Sequence, residues 1–487
     1  MTAPSFLWYD LETFGRDPRR TRIAQFAAIR TNADLEQAEA PVSLFCRPAD
    51  DLLPSPGAAM ITGLSPQRAQ RDGLPEAEFV ARIHEEMSRP GTCSLGYNSL
   101  RFDDEFVRHA LYRNFFDPYE REWRGGNSRW DLLDFMRLAH ALRPEGLEWP
   151  RREDGSPSFR LEELAAANGI GHSRAHEALS DVEALIGLAR RLRAAQPRLW
   201  DYGLTLRSKK HCGGLVDVVH GEPLLHVSGR YPASRLCAAL VLPIARHPAI
   251  DSRVIVADLD QPPDALLELD AGDIADRLYT PRADLPEGEA RIGLKEVHLN
   301  RCPALVPIRH LREADYARLG IDPGVALARA ARLRADADLP EKLRRVFARP
   351  PRGGGGDVDG ALYDGFIPDA DRARFARVRS APPEALTADA FPFADPRFGE
   401  LLFRYRARNW PESLDAAGRE RWDAFRRGRL APGSECSEYD FASYFAEIAA
   451  IRSAHPDGAT QVLMDAYAEW GRRLQGDLAP SAPASPP

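Results

Sequence analysis

The sequence predicts an α/β layer domain over residues 1–198, a small β-rich, barrel-like domain over 199–350, and a helical domain over 361–478. Three observations carry this. Strand and helix patterns alternate up to residue 198, as layered α/β domains do. Between 199 and 350, short Val- and Leu-rich runs are broken by Gly and Pro, as in small barrels. Beyond 360 the apolar spacing is helical, with Arg-rich faces such as "LLFRYRARNW".

In the first domain, "FLWYDLE" (Phe6–Glu12) reads as a strand and "RIAQFAAIRTN" (Arg22–Asn32) as another, with apolar residues at alternate positions. "TCSLGYN" (Thr92–Asn98) is a buried strand ending in small residues. "DDEFVRHALYRNFF" (Asp103–Phe116) has helical spacing, with Phe106, Ala110 and Leu111 on one side. "RLEELAAANGI" places Gly169 at a helix C-terminus. "HEALSDVEALIGLARRLRAA" (His176–Ala195) is the strongest helix, with Ala178, Leu179, Val182, Leu185 and Ile186 as its buried stripe. The second domain draws its strands from "LVDVVHGEPLLHVSGRY", "CAALVLPIARHP", "RVIVADLD" and "GLKEVHLNRCPAL", followed by one helix from about Val325 to Phe347. Residues 351–360, within "RPPRGGGGDVDG", read as a Gly-rich linker, and 479–487, "APSAPASPP", as a disordered tail.

Bulk properties exclude several classes. No apolar run approaches the roughly 18 residues of a membrane span, and the N-terminus lacks a signal-peptide pattern, so a cytoplasmic location is expected. The six cysteines are scattered with no CxxC pair, which argues against structural zinc and a disulfide framework. The net charge of -7 means that any nucleic-acid binding needs its basic residues gathered into a local channel.

Against that background the acids of "FLWYDLE" stand out. Asp10 and Glu12 are two apart in a strand, so their carboxylates share a side while Leu11 points into the core. Two close anions repel unless a cation sits between them, and hard oxygen donors suit Mg²⁺ or Mn²⁺. Such pairs also occur on solvated strand edges. In "GYNSLRFDDEF", Asp103 and Asp104 follow a buried strand; one is expected to cap the helix, and Asp103 to face the site. In "SRAHEALSDVEAL", His176 precedes Asp181 by five residues at a helix entry, where a His by itself would serve as a turn or cap residue.

Together Asp10, Glu12, Asp103, His176 and Asp181 give the order D-x-E, D, H-x₄-D, which resembles the DEDDh exonuclease superfamily. The segments "YDLETFG", "QFAAIRT", "GYNSLRFDDEF", "YRNFFDPY", "NSRWDLLD", "ALRPEG", "PSFRLEEL", "PLLHVSGRY", "RLYT" and "YRARNWP" resemble the bacterial exodeoxyribonuclease I family, from about Phe6 to Pro411. That resemblance implies an RNase H-like DEDDh exonuclease domain, an SH3-like domain and a C-terminal helical domain clasping single-stranded DNA. It implies 3′→5′ hydrolysis to nucleoside 5′-monophosphates with two Mg²⁺ ions, for which Mn²⁺ substitutes. Asp10, Glu12, Asp103 and Asp181 would be ligands, His176 the general base, and Glu12 a contact to the terminal 3′-hydroxyl.

Strand binding calls for a basic groove with aromatic platforms. The stretch 107–137 interleaves Arg108, Arg113, Arg121, Arg124, Arg129 and Arg137 with Phe115, Phe116, Tyr119, Trp123 and Trp130; Trp130 also suits a core. By resemblance Arg108, Tyr119, Trp123, Arg137, Arg160, Lys209, Ser252, Lys295, Asn300 and Tyr363 would touch DNA; Ser252 stands where the family often has a larger amide. The family also docks the acidic C-terminal tail of single-stranded DNA-binding protein, for which Arg143, Tyr202, Arg312, Leu327 and Arg334 fall at matching positions. Pro307 departs from a polar residue nearby, and scattered surface arginines are the alternative. A monomer is expected. Two other functions remain open: an RNA- or oligonucleotide-trimming enzyme of the same superfamily, and a non-catalytic single-strand clamp.

Overall fold

The computed structural model describes residues 4–171, 177–286, 288–289, 291–348 and 356–479. The first domain is built on β1 (Ser5–Thr13), β2 (Ile23–Thr31), β3 (Val42–Phe45), β4 (Thr92–Gly96) and β5 (Ser128–Asp131), in the order β3-β2-β1-β4-β5. A short loop joins β1 to its antiparallel neighbour β2. A long crossover carrying the helix Glu76–Ser88 joins the antiparallel part to β4, which runs parallel to β1, as parallel pairing requires. β1 is central and packs on both faces. Trp8 meets Val182 and Leu185 of the helix Ala178–Ala195; Leu7, Tyr9 and Leu11 meet Phe106 and Val107 of the helix Asp103–Arg113. The alternation expected in β2 is absent: all nine residues are buried, because helices cover both faces.

The second domain holds β6 (Leu224–Val227), β7 (Ala238–Arg246), β8 (Arg253–Asp258), β9 (Leu294–His298) and β10 (Ala304–Pro307), antiparallel throughout in the order β10-β6-β7-β8-β9. Its apolar residues are continuous with those under β1. The single helix expected over Val325–Phe347 is two, Pro323–Ala335 and Leu339–Phe347. The Asp336 side chain accepts from the N–H of Asp338 and of Leu339 and breaks the first helix, while Pro340 suits the opening turn of the second.

The third domain is helical, with Pro396–Asn409, Ala416–Arg429, Phe441–Ala454 and Gly458–Asp477 each opened by an Asp side-chain cap: Asp395, Asp415, Asp440 and Asp457. The last two pair with each other and lean on Pro56–Thr62 and Pro66–Asp72 of the first domain. Of the expected linker, residues 351–355 lie outside the described residues, as do 480–487 of the tail. Asp357–Gly360 is not flexible chain. Asp359 is fully buried and accepts from Arg22, Arg408 and Arg429, which ties this segment to β2's approach and to the helical domain. All six cysteines are free, and among the described residues no helix is long and apolar enough to cross a membrane.

Candidate active site

The strand period places Asp10 and Glu12 on one side of β1, with Leu11 turned into the core. The helix Ala178–Ala195 presents Asp181 from its first turn beside its buried stripe. Carboxylate oxygens of Asp10, Glu12 and Asp181 lie within 4.8 Å of one another. Asp103 is buried in the first turn of its helix, within electrostatic reach of Asp10 and Glu12. His176 lies outside the described residues.

Electrostatics show what the cluster lacks. Burial pushes the Asp10 carboxyl well up, and Asp103 and Asp181 push it further. Burial, Asp10 and Asp181 raise Glu12 from 4.5 to about 9. Burial and then Asp104 raise Asp103. Acids held this close repel one another in a way that a shared cation relieves, and an all-carboxylate donor set suits a hard divalent one.

The polypeptide fixes this arrangement through two further aspartates that sequence patterns did not single out for it. Asp131, at the end of β5, accepts from the N–H of Asn98 (2.9 Å) and of Leu100 (3.2 Å), pinning the turn that leads to Asp103; it also caps the next helix through Leu133 N. Asn98 takes φ +62°, a conformation Asn tolerates. Gly96 is needed just before, since a Cβ there would lie 2.7 Å from the Tyr9 carbonyl. Asp104 is not the cap expected of one of the two acids: the helix has no side-chain cap, and Phe102 occupies the N-cap position. The Asp104 carboxylate instead accepts from Tyr9 Oη (2.8 Å), Arg121 (2.5 Å) and Arg129 (2.6 Å). Burial opposes its charge, but Arg121 and Arg129 outweigh burial and hold it well below the usual carboxylate range. Tyr9 precedes Asp10 and Asp104 follows Asp103, so this buried anchor locks the two site-bearing backbones together.

The predicted strand contacts divide. Trp123 is 65% exposed, Tyr363 54%, and Arg160, Lys209 and Asn300 are exposed. Arg108 is buried, held bidentately by Glu122 and stacked over the Tyr119 ring at 5.3 Å. Arg137 shares Asp134 with Arg101. The Ser252 carbonyl accepts from Leu299 N. Lys295 Nζ is buried without a hydrogen-bond partner, 4.3 Å from the Tyr231 ring centre. The wider Arg/aromatic stretch is not a stacking platform: Phe115, Phe116 and Trp130 are core residues, and Arg113 and Arg121 are buried.

The residues expected to dock a partner tail fall in two small groups. Arg143 and Arg312 both hold Asp315. Tyr202 Oη donates to the Leu305 carbonyl of β10, and Arg334 donates to the Gly221 carbonyl ahead of β6. Leu327 is exposed on the helix Pro323–Ala335.

Comparison with known proteins agrees with this layout. Family models match residues 7–189 (Exonuclease), 207–349 (Exonuclease I SH3-like domain) and 356–474 (Exonuclease I C-terminal domain). Exodeoxyribonuclease I of Escherichia coli K12 is 47% identical over 429 residues, covering 88% of this chain and 90% of that one. The crystal structure of E. coli exonuclease I with a dA16 oligonucleotide superposes with a TM-score of 0.93 at 44% identity, covering 97% of this chain and 100% of that chain. An ExoI/SSB-Ct complex gives 0.90 at 43%, and a zinc-bound E. coli ExoI–ssDNA complex 0.91 at 43%, with the same coverage. With its three domains matched in order and its carboxylates gathered at β1, the chain belongs to the exodeoxyribonuclease I family of DNA-hydrolysing exonucleases.

Proposed function

We propose that the chain removes nucleoside 5′-monophosphates stepwise from the 3′ end of single-stranded DNA, in the service of DNA repair and recombination. The observation that carries this is the trio Asp10, Glu12 and Asp181, whose carboxylate oxygens lie within 4.8 Å of one another, with the Asp10 and Glu12 carboxyls raised by burial and by neighbouring acids. With Asp103 they would hold two divalent cations, Mg²⁺ by donor hardness, with Mn²⁺ able to substitute. When bound, such a pair supplies Lewis acidity to the attacking water and the leaving oxygen. His176 would accept the water's proton, an imidazole being suited to that near neutral pH. Glu12 would also orient the terminal 3′-hydroxyl. Arg108, Tyr119, Trp123, Arg137, Arg160, Lys209, Ser252, Lys295, Asn300 and Tyr363 would guide the strand through phosphate and stacking contacts.

The resemblance to the ExoI/SSB-Ct complex supports docking of an acidic tail of single-stranded DNA-binding protein against Arg143, Tyr202, Arg312, Leu327 and Arg334. A cytoplasmic monomer fits this reading.

The test is a time course on 5′-labelled single-stranded DNA with Mg²⁺, beside duplex DNA and single-stranded RNA of the same sequence. A ladder shortening from the 3′ end only on single-stranded DNA, abolished by EDTA, is expected. The Asp10→Ala protein should bind the strand and shorten it about a thousandfold more slowly or less. Equal RNA degradation would make the chain an RNA-trimming enzyme, and wild-type binding without shortening would make it a clamp.

A further inference from the structure

The helix Asp103–Arg113 opens with three consecutive acids. Asp103 faces the site and Asp104 anchors it from behind. Glu105 does neither. Its Oε1 accepts from Arg108 Nη1 at 2.9 Å and from Arg301 Nη2 at 3.2 Å, and its Oε2 accepts from Tyr363 Oη at 2.5 Å. Arg108 belongs to the first domain, Arg301 follows β9 in the second, and Tyr363 lies on the segment entering the third. Donors from all three domains thus converge on one carboxylate whose side chain is 16% exposed.

One N–H from each of two guanidinium groups and a hydroxyl around a two-oxygen anion form a donor set that suits a phosphodiester. Arg108 is also held by Glu122 at 2.8 and 3.0 Å, and Glu122 is shared in turn with Arg129 at 3.0 Å, so Glu105 is the acid that Arg108 and Arg301 have in common. We propose that Glu105 occupies the place of a strand phosphate when none is bound, and that Arg301, with Arg108 and Tyr363, receives that phosphate when the strand arrives. This rests on the reading that the strand passes Arg108 and Tyr363. An internal competitor makes each hand-over nearly balanced. Donors released by a departing phosphate are recaptured by Glu105 at once, which favours letting go and therefore advance along the strand.

The test measures binding of a fluorescent oligo(dT) to the full chain in EDTA, so that hydrolysis and metal loading do not enter, across a range of NaCl concentrations. Glu105→Gln should lower Kd by about threefold to tenfold, because the competing charge is gone and the side chain's size is kept. Arg301→Gln should raise Kd and reduce the slope of log Kd against log salt by about one phosphate contact. In the Arg301→Gln background, most of the gain from Glu105→Gln should vanish. Thermal denaturation of each variant accompanies the titrations. Unchanged or weaker binding by Glu105→Gln, with a lowered Tm, would make Glu105 a structural ion pair and overturn the proposal. An unchanged salt slope in Arg301→Gln would overturn the role of Arg301. If Arg108→Gln also left Kd and slope unchanged, it is the strand path itself that would fall.

Discussion

Two groups of acidic side chains in this chain have opposite surroundings. At β1, Asp10, Glu12 and Asp103 press on one another and their carboxyls rise. At the junction with the helical domain, Asp359 is surrounded by Arg408, Arg22, Arg404 and Arg429, and Asp51 by Arg408 and Arg429. Burial opposes the charge of Asp359, but Arg408, Arg22 and Arg404 overcome it and hold the carboxyl far down. At β1 acid presses on acid, whereas at the junction each acid faces arginines. Among the described residues, the second is the one whose acids are matched by basic side chains. An uncompensated buried charge is costly, so its persistence points to a counter-charge arriving from outside.

The largest effect is expected where the internal pairing is removed. Asp359→Ala leaves four arginines without their shared anion and should cost about 3–5 kcal/mol of unfolding free energy. Denaturant titration measures it, with Asp359→Asn falling in between. A loss below about 1 kcal/mol would mean that Asp51 alone suffices, and the contrast would fail.

The opposite sign is expected at β1. Glu12 is raised from 4.5 to about 9, so over that window the folded metal-free chain holds a proton that the unfolded chain has lost. Its stability therefore falls as pH rises through the window. Glu12→Gln removes the conflict. In EDTA at pH 8 its Tm should rise by about 2–4 °C, and the gain should shrink toward pH 5. Activity should be lost in the same protein. A lowered Tm at pH 8 would show that a cation from the chain already balances the site.

The smallest effect sharpens the comparison from the cationic side. Lys295 is a buried ammonium with no hydrogen-bond partner, and burial, reinforced by Arg230 and Arg101, lowers it from 10.5 to about 7. By the same logic it would receive an anion, which on the proposed strand path is a phosphate. As pH rises from 6 to 8 it gives up its proton. Wild-type affinity for single-stranded DNA in EDTA should then weaken by about threefold more than that of Lys295→Met. Parallel pH profiles would remove Lys295 from the strand path.

What was legible in the sequence follows from how local each determinant is. The strand period alone sets Asp10 and Glu12 side by side, and the helical stripe around Val182 sets Asp181 beside them. The Asp caps of the last helices are equally local. Between Asp103 and Asp104 the pattern could rank the roles but not supply the partners, because Arg121, Arg129 and Tyr9 meet Asp104 only in the fold. Asp359 was hidden for the same reason. It sits in a Gly-rich stretch that reads as linker, yet Arg22 lies 337 residues away in the chain. The dense arginines and aromatics of 107–137 misled in the other direction: composition cannot tell an arginine buried on an aspartate from one awaiting a phosphate.

The anchor formed by Tyr9 and Asp104 also constrains how this enzyme can be re-engineered. Asp131 pins this turn at Asn98 and Leu100 while Tyr9 holds Asp104 just past its end, so inserting or deleting one residue between Asn98 and Phe102 would pull against both ties and shift Asp103 relative to β1. Libraries that vary this turn can change its letters but not its length. The register of one short turn, rather than the identity of its side chains, is the parameter a designer must leave alone.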